Sequence, residues 1–110
     1  MTVEQLLNNL GLKAFVLAES DREVQGGYAG DLLSWVMGSA TAGDAWVTIM
    51  TNINVIAVAS LADVACVILS ENATPDEEMI TVAKAKGINL LGSEKNTFDL
   101  CREIGNIIAK

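Results

Sequence analysis

At 110 residues the chain has material for one domain, since two independent cores of half that length would each be too small to be stable. Apolar residues make up 51% and charged residues 19%, which excludes a disordered chain. Fourteen acids against seven scattered bases leave a net charge of −7, so neither nucleic acid nor an anionic membrane is an expected partner.

The first expected element is a helix. Thr2 is a suitable N-cap, Gln5 completes a capping box, Val3, Leu6, Leu7 and Leu10 share one face, and Gly11 supplies the stop. Residues 13–18 read as a short, mostly buried strand. Residues 19–30 are polar and glycine-bearing and read as a loop, with room for a short strand around Tyr28. Asp31 is placed to cap a helix carrying Leu32, Leu33, Val36 and Met37 and ending near Gly38, and Gly43 with Asp44 marks a turn. Residues 45–50 form a strand by their aromatic and β-branched content.

Residues 52–64 are apolar all round, so periodicity alone does not separate strand from helix. A parallel neighbour at residues 66–69 needs a crossover of about a dozen residues, which favours a buried helix. Thr74, Pro75, Asp76 and Glu77 read as a capping box with proline in the first helical position. That helix runs to about Lys86, buries Met79, Ile80 and Ala83, and stops at Gly87. Residues 88–91 are a strand, and Asn96 or Thr97 caps a last helix with Leu100, Cys101, Ile104, Ile107 and Ile108 on one face. From Trp46 onward strands and helices alternate. The expected fold is therefore a single α/β domain over residues 1–110, a layered structure with a mostly parallel sheet flanked by helices.

Histidine is absent, which removes the commonest general base, the serine and cysteine protease constellations and most zinc sites. Neither a GxxxxGK[ST] loop nor a GxGxxG turn occurs. Cys66 and Cys101 lie on faces expected to be buried, and without a CxxC spacing or a secretory leader they read as reduced thiols of a cytoplasmic protein. Asp76, Glu77 and Glu78 stand in a first helical turn, where acids complement the helix dipole. No catalytic residue, metal site or cofactor is expected.

Two polar stretches admit a functional reading beside a structural one. In the first, Asp21 and Arg22 precede Gly26, Gly27 and Tyr28, with Asp31 following; glycines let a backbone approach a ligand, and an arginine beside them can hold an anion. The alternative is a turn-rich connection with a local Asp–Arg pair. In the second, Thr48, Thr51, Asn52 and Asn54 stand where a strand ends and a helix begins, the usual ligand position in a parallel sheet. There the alternative is that Asn52 or Asn54 is simply the helix N-cap. Of the two tryptophans, Trp35 and Trp46, one exposed near the glycine loop would mark a partner surface.

Residues 21–34, from Asp21 and Arg22 through Gly26, Gly27 and Asp31 to Ser34, are followed by residues 46–49, by residues 52–59, and by Thr97 and Phe98 before the last helix. In this order and spacing they resemble the DRTGG domain family. The resemblance implies a regulatory domain of the kind that accompanies CBS domains in regulated pyrophosphatases, with a fold similar to the non-catalytic N-terminal lobe of HPr kinase/phosphorylase. It also implies pairing as a homodimer. Glu23, Val24 and Gln25 stand where the family name leads one to expect threonine.

The resulting expectation is a non-catalytic regulatory or ligand-sensing module acting through a second copy of itself, a regulated protein, or a nucleotide or other small ligand. The expected binding residues are Asp21, Arg22, Gly26, Gly27, Tyr28, Asp31, Thr48, Asn52 and Asn54. Two alternatives accompany it. One is an adenine-nucleotide sensor with helix N-termini at Asn52 and Thr74; the other is a small enzyme using Asp21 or Asp31 as general base.

Overall fold

Ten elements follow one another in the computed structural model, which describes residues 1–108. Helix α1 (Val3–Leu10) is closed at both ends by the residues suited to it: Gln5 N donates to Thr2 Oγ1 at 3.2 Å, Thr2 N donates to Gln5 Oε1 at 2.9 Å, and Gly11 turns left-handed at φ 61°. Strand β1 (Lys13–Val16) comes next, and an irregular stretch leads to β2 (Gly26–Ala29). Regular alternation then runs through α2 (Leu33–Ser39), β3 (Asp44–Thr48), α3 (Ile53–Ala62), β4 (Cys66–Leu69), α4 (Glu77–Lys86), β5 (Leu90–Gly92) and α5 (Thr97–Ile108).

The strands form one sheet in the order β1-β5-β4-β3-β2. Strands β2 to β5 are parallel, and β1 runs antiparallel along β5. The expected mostly parallel sheet is present, and its parallel part is wider than the alternation from Trp46 implied. Residues 26–29 pair in register with residues 44–47, which makes β2-α2-β3 a full crossover unit.

Helices cover both faces, and the strands sort their side chains with a period of two. Trp46, Val67, Leu69 and Leu90 point to one side, where they meet Val36 of α2, Val55, Ile56 and Ala59 of α3, and Met79 and Ala83 of α4. Ala45, Val47, Cys66, Ile68 and Leu91 point to the other, against Val3 and Leu6 of α1 and Leu100 and Ile104 of α5. No helix among the described residues is long and apolar enough to cross a membrane.

Several local expectations are corrected. Residues 13–18 are not a mostly buried strand: β1 ends at Val16 and lies at the sheet edge, with Lys13 and Ala14 exposed. Asp31 does not cap α2; Leu32 occupies the N-cap with no side-chain bond, and the Asp31 carboxylate is drawn to the end of β3 instead. Thr74 and Pro75 precede helix α4, whose cap is Asp76, with Met79 N donating to Asp76 Oδ1 at 2.8 Å. The proline fixes the approach to the cap rather than opening the helix. Strand β3 stops at Thr48, so Ile49 and Met50 belong to the following loop. Segment 52–64 is the expected helix, with Asn52 as its cap and Asp63 closing it at φ 57°.

Candidate functional site

All four parallel strands end on one rim of the sheet, and the loops that follow them gather there, the usual ligand position in such folds. At the end of β2, Asp31 Oδ1 accepts from the Thr48 hydroxyl at 2.7 Å and from Ile49 N at 3.0 Å, and Thr48 Oγ1 in turn accepts from Met50 N at 3.3 Å. This bond set fixes the β3–α3 turn, so the carboxylate and the start of α3 are held as one unit. Gly30 supports the same corner. Its carbonyl accepts from Trp46 Nε1 at 3.0 Å, and a Cβ on it would lie 3.0 Å from the Tyr28 ring. Asn52 caps α3 by accepting from Asn54 N at 2.9 Å.

Three other helices begin at this rim: α2, which Leu32 opens with no side-chain bond, and α4 and α5, each of which already has a carboxylate at its first turn. Asp76 caps α4, and Glu71 Oε2 accepts from Thr97 N at 2.9 Å at the start of α5. Buried Ser70 and half-buried Thr97 share a hydroxyl–hydroxyl bond of 2.6 Å, while Glu71 N and Asn72 N donate to Lys95 O and Ser93 O at 2.8 and 2.9 Å. Glu71 and Asn72 both sit in the left-handed region, at φ 61° and 57°, held by these bonds. Asn52 caps α3 and Asn96 caps α5 in the same way, with Asp99 N donating to Asn96 Oδ1 at 2.8 Å, but at α5 the Glu71 carboxylate bonds the first turn as well, whereas among the described residues no carboxylate bonds the first turn of α3.

The opposite rim is closed. Arg22 Nη1 donates to Asp63 Oδ1 at 3.1 Å and Nη2 donates to Asp63 O at 2.8 Å, so the guanidinium covers the C-terminal end of α3. Beside it, Glu19 N donates to Asn89 Oδ1 at 2.8 Å, and Asn89 Nδ2 donates to the carbonyls of Glu19 and Ala65 at 2.9 and 3.0 Å. The reading of the residues missed this clamp. Its signal is an asparagine inside an otherwise apolar strand sequence.

The expected site residues therefore fall into three places. Asp31, Thr48, Asn52 and Asn54 come together at the open rim. Asp21 and Arg22 lie before β2, about 13 Å or more away along the strand at roughly 3.3 Å per residue. Gly27 and Tyr28 line a third place, an apolar groove of about 220 Å³ between β2 and α5 that Ala29, Val47, Cys101 and Gly105 also border. Gly26 is needed for packing, since a Cβ there would stand 3.0 Å from Asp44 Oδ1. Trp46 is fully buried, whereas Trp35 keeps 66% of its surface in water, close in sequence to Asp31.

Cys66 and Cys101 are free thiols. Burial pushes the Cys66 thiol up to about 12, against a small opposing pull from Arg22, and burial also raises Cys101. Raised thiols are poor nucleophiles at neutral pH. Among the described residues no group of histidine, cysteine, aspartate or glutamate is placed to hold a metal ion.

No curated protein matches the sequence. Among solved structures, the chain is similar to the CBS and DRTGG domains of the regulatory region of Clostridium perfringens pyrophosphatase, complexed with the activator diadenosine tetraphosphate. The TM-score is 0.72 at 17% identity, over 92% of this chain and 44% of that one, so this chain spans less than half the length of the structure it matches. The likeness extends over nearly the whole fold and bears out the DRTGG-like architecture. The family model described as HPr Serine kinase N terminus matches residues 52–108, from the cap of α3 to the end of α5. With 57 of its 110 residues inside that match, the chain belongs to the HPr Serine kinase N terminus family.

Proposed function

We propose that residues 1–110 form one non-catalytic regulatory domain, cytoplasmic and homodimeric, that senses a small ligand or a partner protein at the open rim of its sheet. The observation that carries this reading is the Asp31–Thr48–Ile49 bond set. It rigidly presents a carboxylate and the α3 N-terminus at the C-terminal ends of parallel strands, with exposed Leu32, Trp35 and Ile49 beside it in sequence. Family membership and the likeness to a regulatory region support a regulatory rather than a catalytic role. The raised thiols and the absence of histidine favour the same view.

The neutral cap of α3 favours a second, narrower reading, in which the ligand is an adenine nucleotide. A phosphate is better accommodated at a helix N-terminus that no carboxylate caps; Asn52 caps α3, and nearby Asp31 is engaged by Thr48 and Ile49, whereas Asp76 and Glu71 bond directly to the starts of α4 and α5. The relative's complex with a dinucleotide activator makes this class the first to try.

Thermal melting with mono-, di- and dinucleotides at millimolar concentration tests both. A ligand at about 100 times its dissociation constant adds roughly 2.7 kcal/mol, a shift of many degrees for so small a domain. A selective shift that Asn52→Ala abolishes supports the nucleotide reading. A flat panel removes that reading and leaves the partner protein as the input.

A further inference from the structure

Helix α3 is apolar on every side, a pattern suited to a helix covered all round, yet only one side is covered. Val55, Ile56, Val58 and Ala59 face the core. Ile53, Ala57 and Leu61, spaced by four and so aligned on one stripe, face water, with Leu61 75% exposed. Next to it, α2 exposes Trp35, and Leu32 before it keeps 59% of its surface in water.

Charge decides what can cover this face. Between residues 32 and 62 the sequence holds one charged residue, Asp44, and that residue is buried with its Oδ2 accepting from Thr41 N at 2.8 Å. The net charge of −7 is therefore displayed elsewhere. Two copies of so acidic a chain repel across any face that shows their carboxylates, and α2–α3 shows none between its two flanking acids, Asp31, engaged by Thr48 and Ile49, and Asp63, paired with Arg22. A basic or acidic partner would find no ion pair here, whereas an identical neutral face matches it. The exposed parts of Leu32, Trp35, Met37, Ile49, Ile53 and Leu61 amount to on the order of 600 Å², most of the roughly 800 Å² that each partner contributes to a standard interface.

We propose that a second copy of this chain seats its own α2–α3 face on this one, with α3 crossing its mate at Ala57. Alanine between Ile53 and Leu61 lets the two helices approach closely at the symmetry axis while the larger residues interlock on either side. The proposal rests on the dimeric reading above and names its surface. It also carries a consequence for the site. Ile53 lies between Asn52 and Asn54, so the interface reaches the open rim, and each copy's Asn54 borders the junction.

Sedimentation velocity of the whole chain, from micromolar to hundreds of micromolar, tests this with Leu61→Glu and Trp35→Glu. Both side chains are mostly in water, so the substitutions cost the monomer little, and circular dichroism verifies its fold. Each new charge enters the interface twice by symmetry, and the dimer dissociation constant should rise by at least about a hundredfold. Phe98→Glu, on an α5 residue equally exposed at 76% but in the opposite layer, should leave dimerisation unchanged. A folded wild-type chain that stays monomeric throughout overturns both the dimeric reading and this surface. A dimer that persists in Leu61→Glu and Trp35→Glu, or that Phe98→Glu disrupts equally, overturns the surface and leaves the dimer standing.

Discussion

The two rims of the sheet are built from the same residue types and behave differently. Where the parallel strands begin, Arg22, Asp63, Asn89 and Glu19 bond one another directly, and Asn89 makes three hydrogen bonds while only 2% exposed. Where the strands end, Asn52 bonds only its neighbour Asn54, Asp31 bonds Thr48 and Ile49 across the β3–α3 turn, and both remain exposed to solvent. An aspartate and an arginine near glycines therefore carry no fixed meaning. The partner that the fold brings to each one, 41 residues away in the case of Arg22 and Asp63, decides whether it braces the structure or faces outward.

The largest expected effect lies at the closed rim. Asn89→Ala removes both bonds to Glu19 and the buried one to the Ala65 carbonyl, so the 17–25 segment loses its tie to the sheet and Glu19 N its partner. It should cost about 3 kcal/mol, or roughly 15 °C in melting temperature. Calorimetry checks it; a loss under a few degrees would mean that the 17–25 segment is not held by this residue.

At the open rim Asp31→Asn sharpens the contrast. It keeps the size of the side chain but replaces charge-assisted bonds from Thr48 and Ile49 with neutral ones, at about 1.5 kcal/mol. Any ligand-induced shift seen in the wild type should fall by more than this stability loss accounts for. If the shift survives intact, the rim residue is a turn brace, and the two ends of the sheet are more alike than their geometry suggests.

The limits of the sequence reading follow the same division. Helix α1 was legible because Thr2, Gln5 and Gly11 act within a few residues of one another, and segment 52–64 was resolved by the length of a parallel crossover. What escaped depends on distant pairing. Nothing near Asp31 in sequence announces that Thr48 will take its carboxylate, and β2 has too few apolar residues for its place in the sheet to be read without β3. The rim cluster was half visible, since Thr48, Asn52 and Asn54 were read from the strand-to-helix junction and Thr97 from the start of the last helix, while Ser70 and Glu71 carried no local signal.

Arg22→Ala probes the closed rim more gently. The Asp63 carboxylate is 66% exposed on its side chain, so its ion pair is largely screened, and the better bond runs from Arg22 to the Asp63 carbonyl. The expected cost is about 1 kcal/mol, and Arg22→Lys should recover little of it because an ammonium lacks the planar fork. A two-state denaturant titration of both variants measures this. Ligand shifts that vanish in Arg22→Ala at unchanged stability would instead join this residue to the site.

The smallest effect comes from the core between the rims, where Cys66 stays protonated in the folded protein up to about 12 while the unfolded thiol ionises near 9.0. A folded-state value raised above the unfolded one leaves stability intact below the unfolded value and removes it as pH rises through the interval. By pH 9.5 the loss from this one group should be just under about 1 kcal/mol, steepening toward about 1.4 kcal/mol per further pH unit. Lysine and tyrosine titrations overlap this range, so the informative quantity is the difference between the wild type and Cys66→Ala. The variant begins less stable, and the gap between the two should narrow from pH 8 to pH 10. A gap that stays constant would mean that water reaches the Cys66 sulfur, and that the sheet is less tightly closed between its two rims than the buried thiol implies.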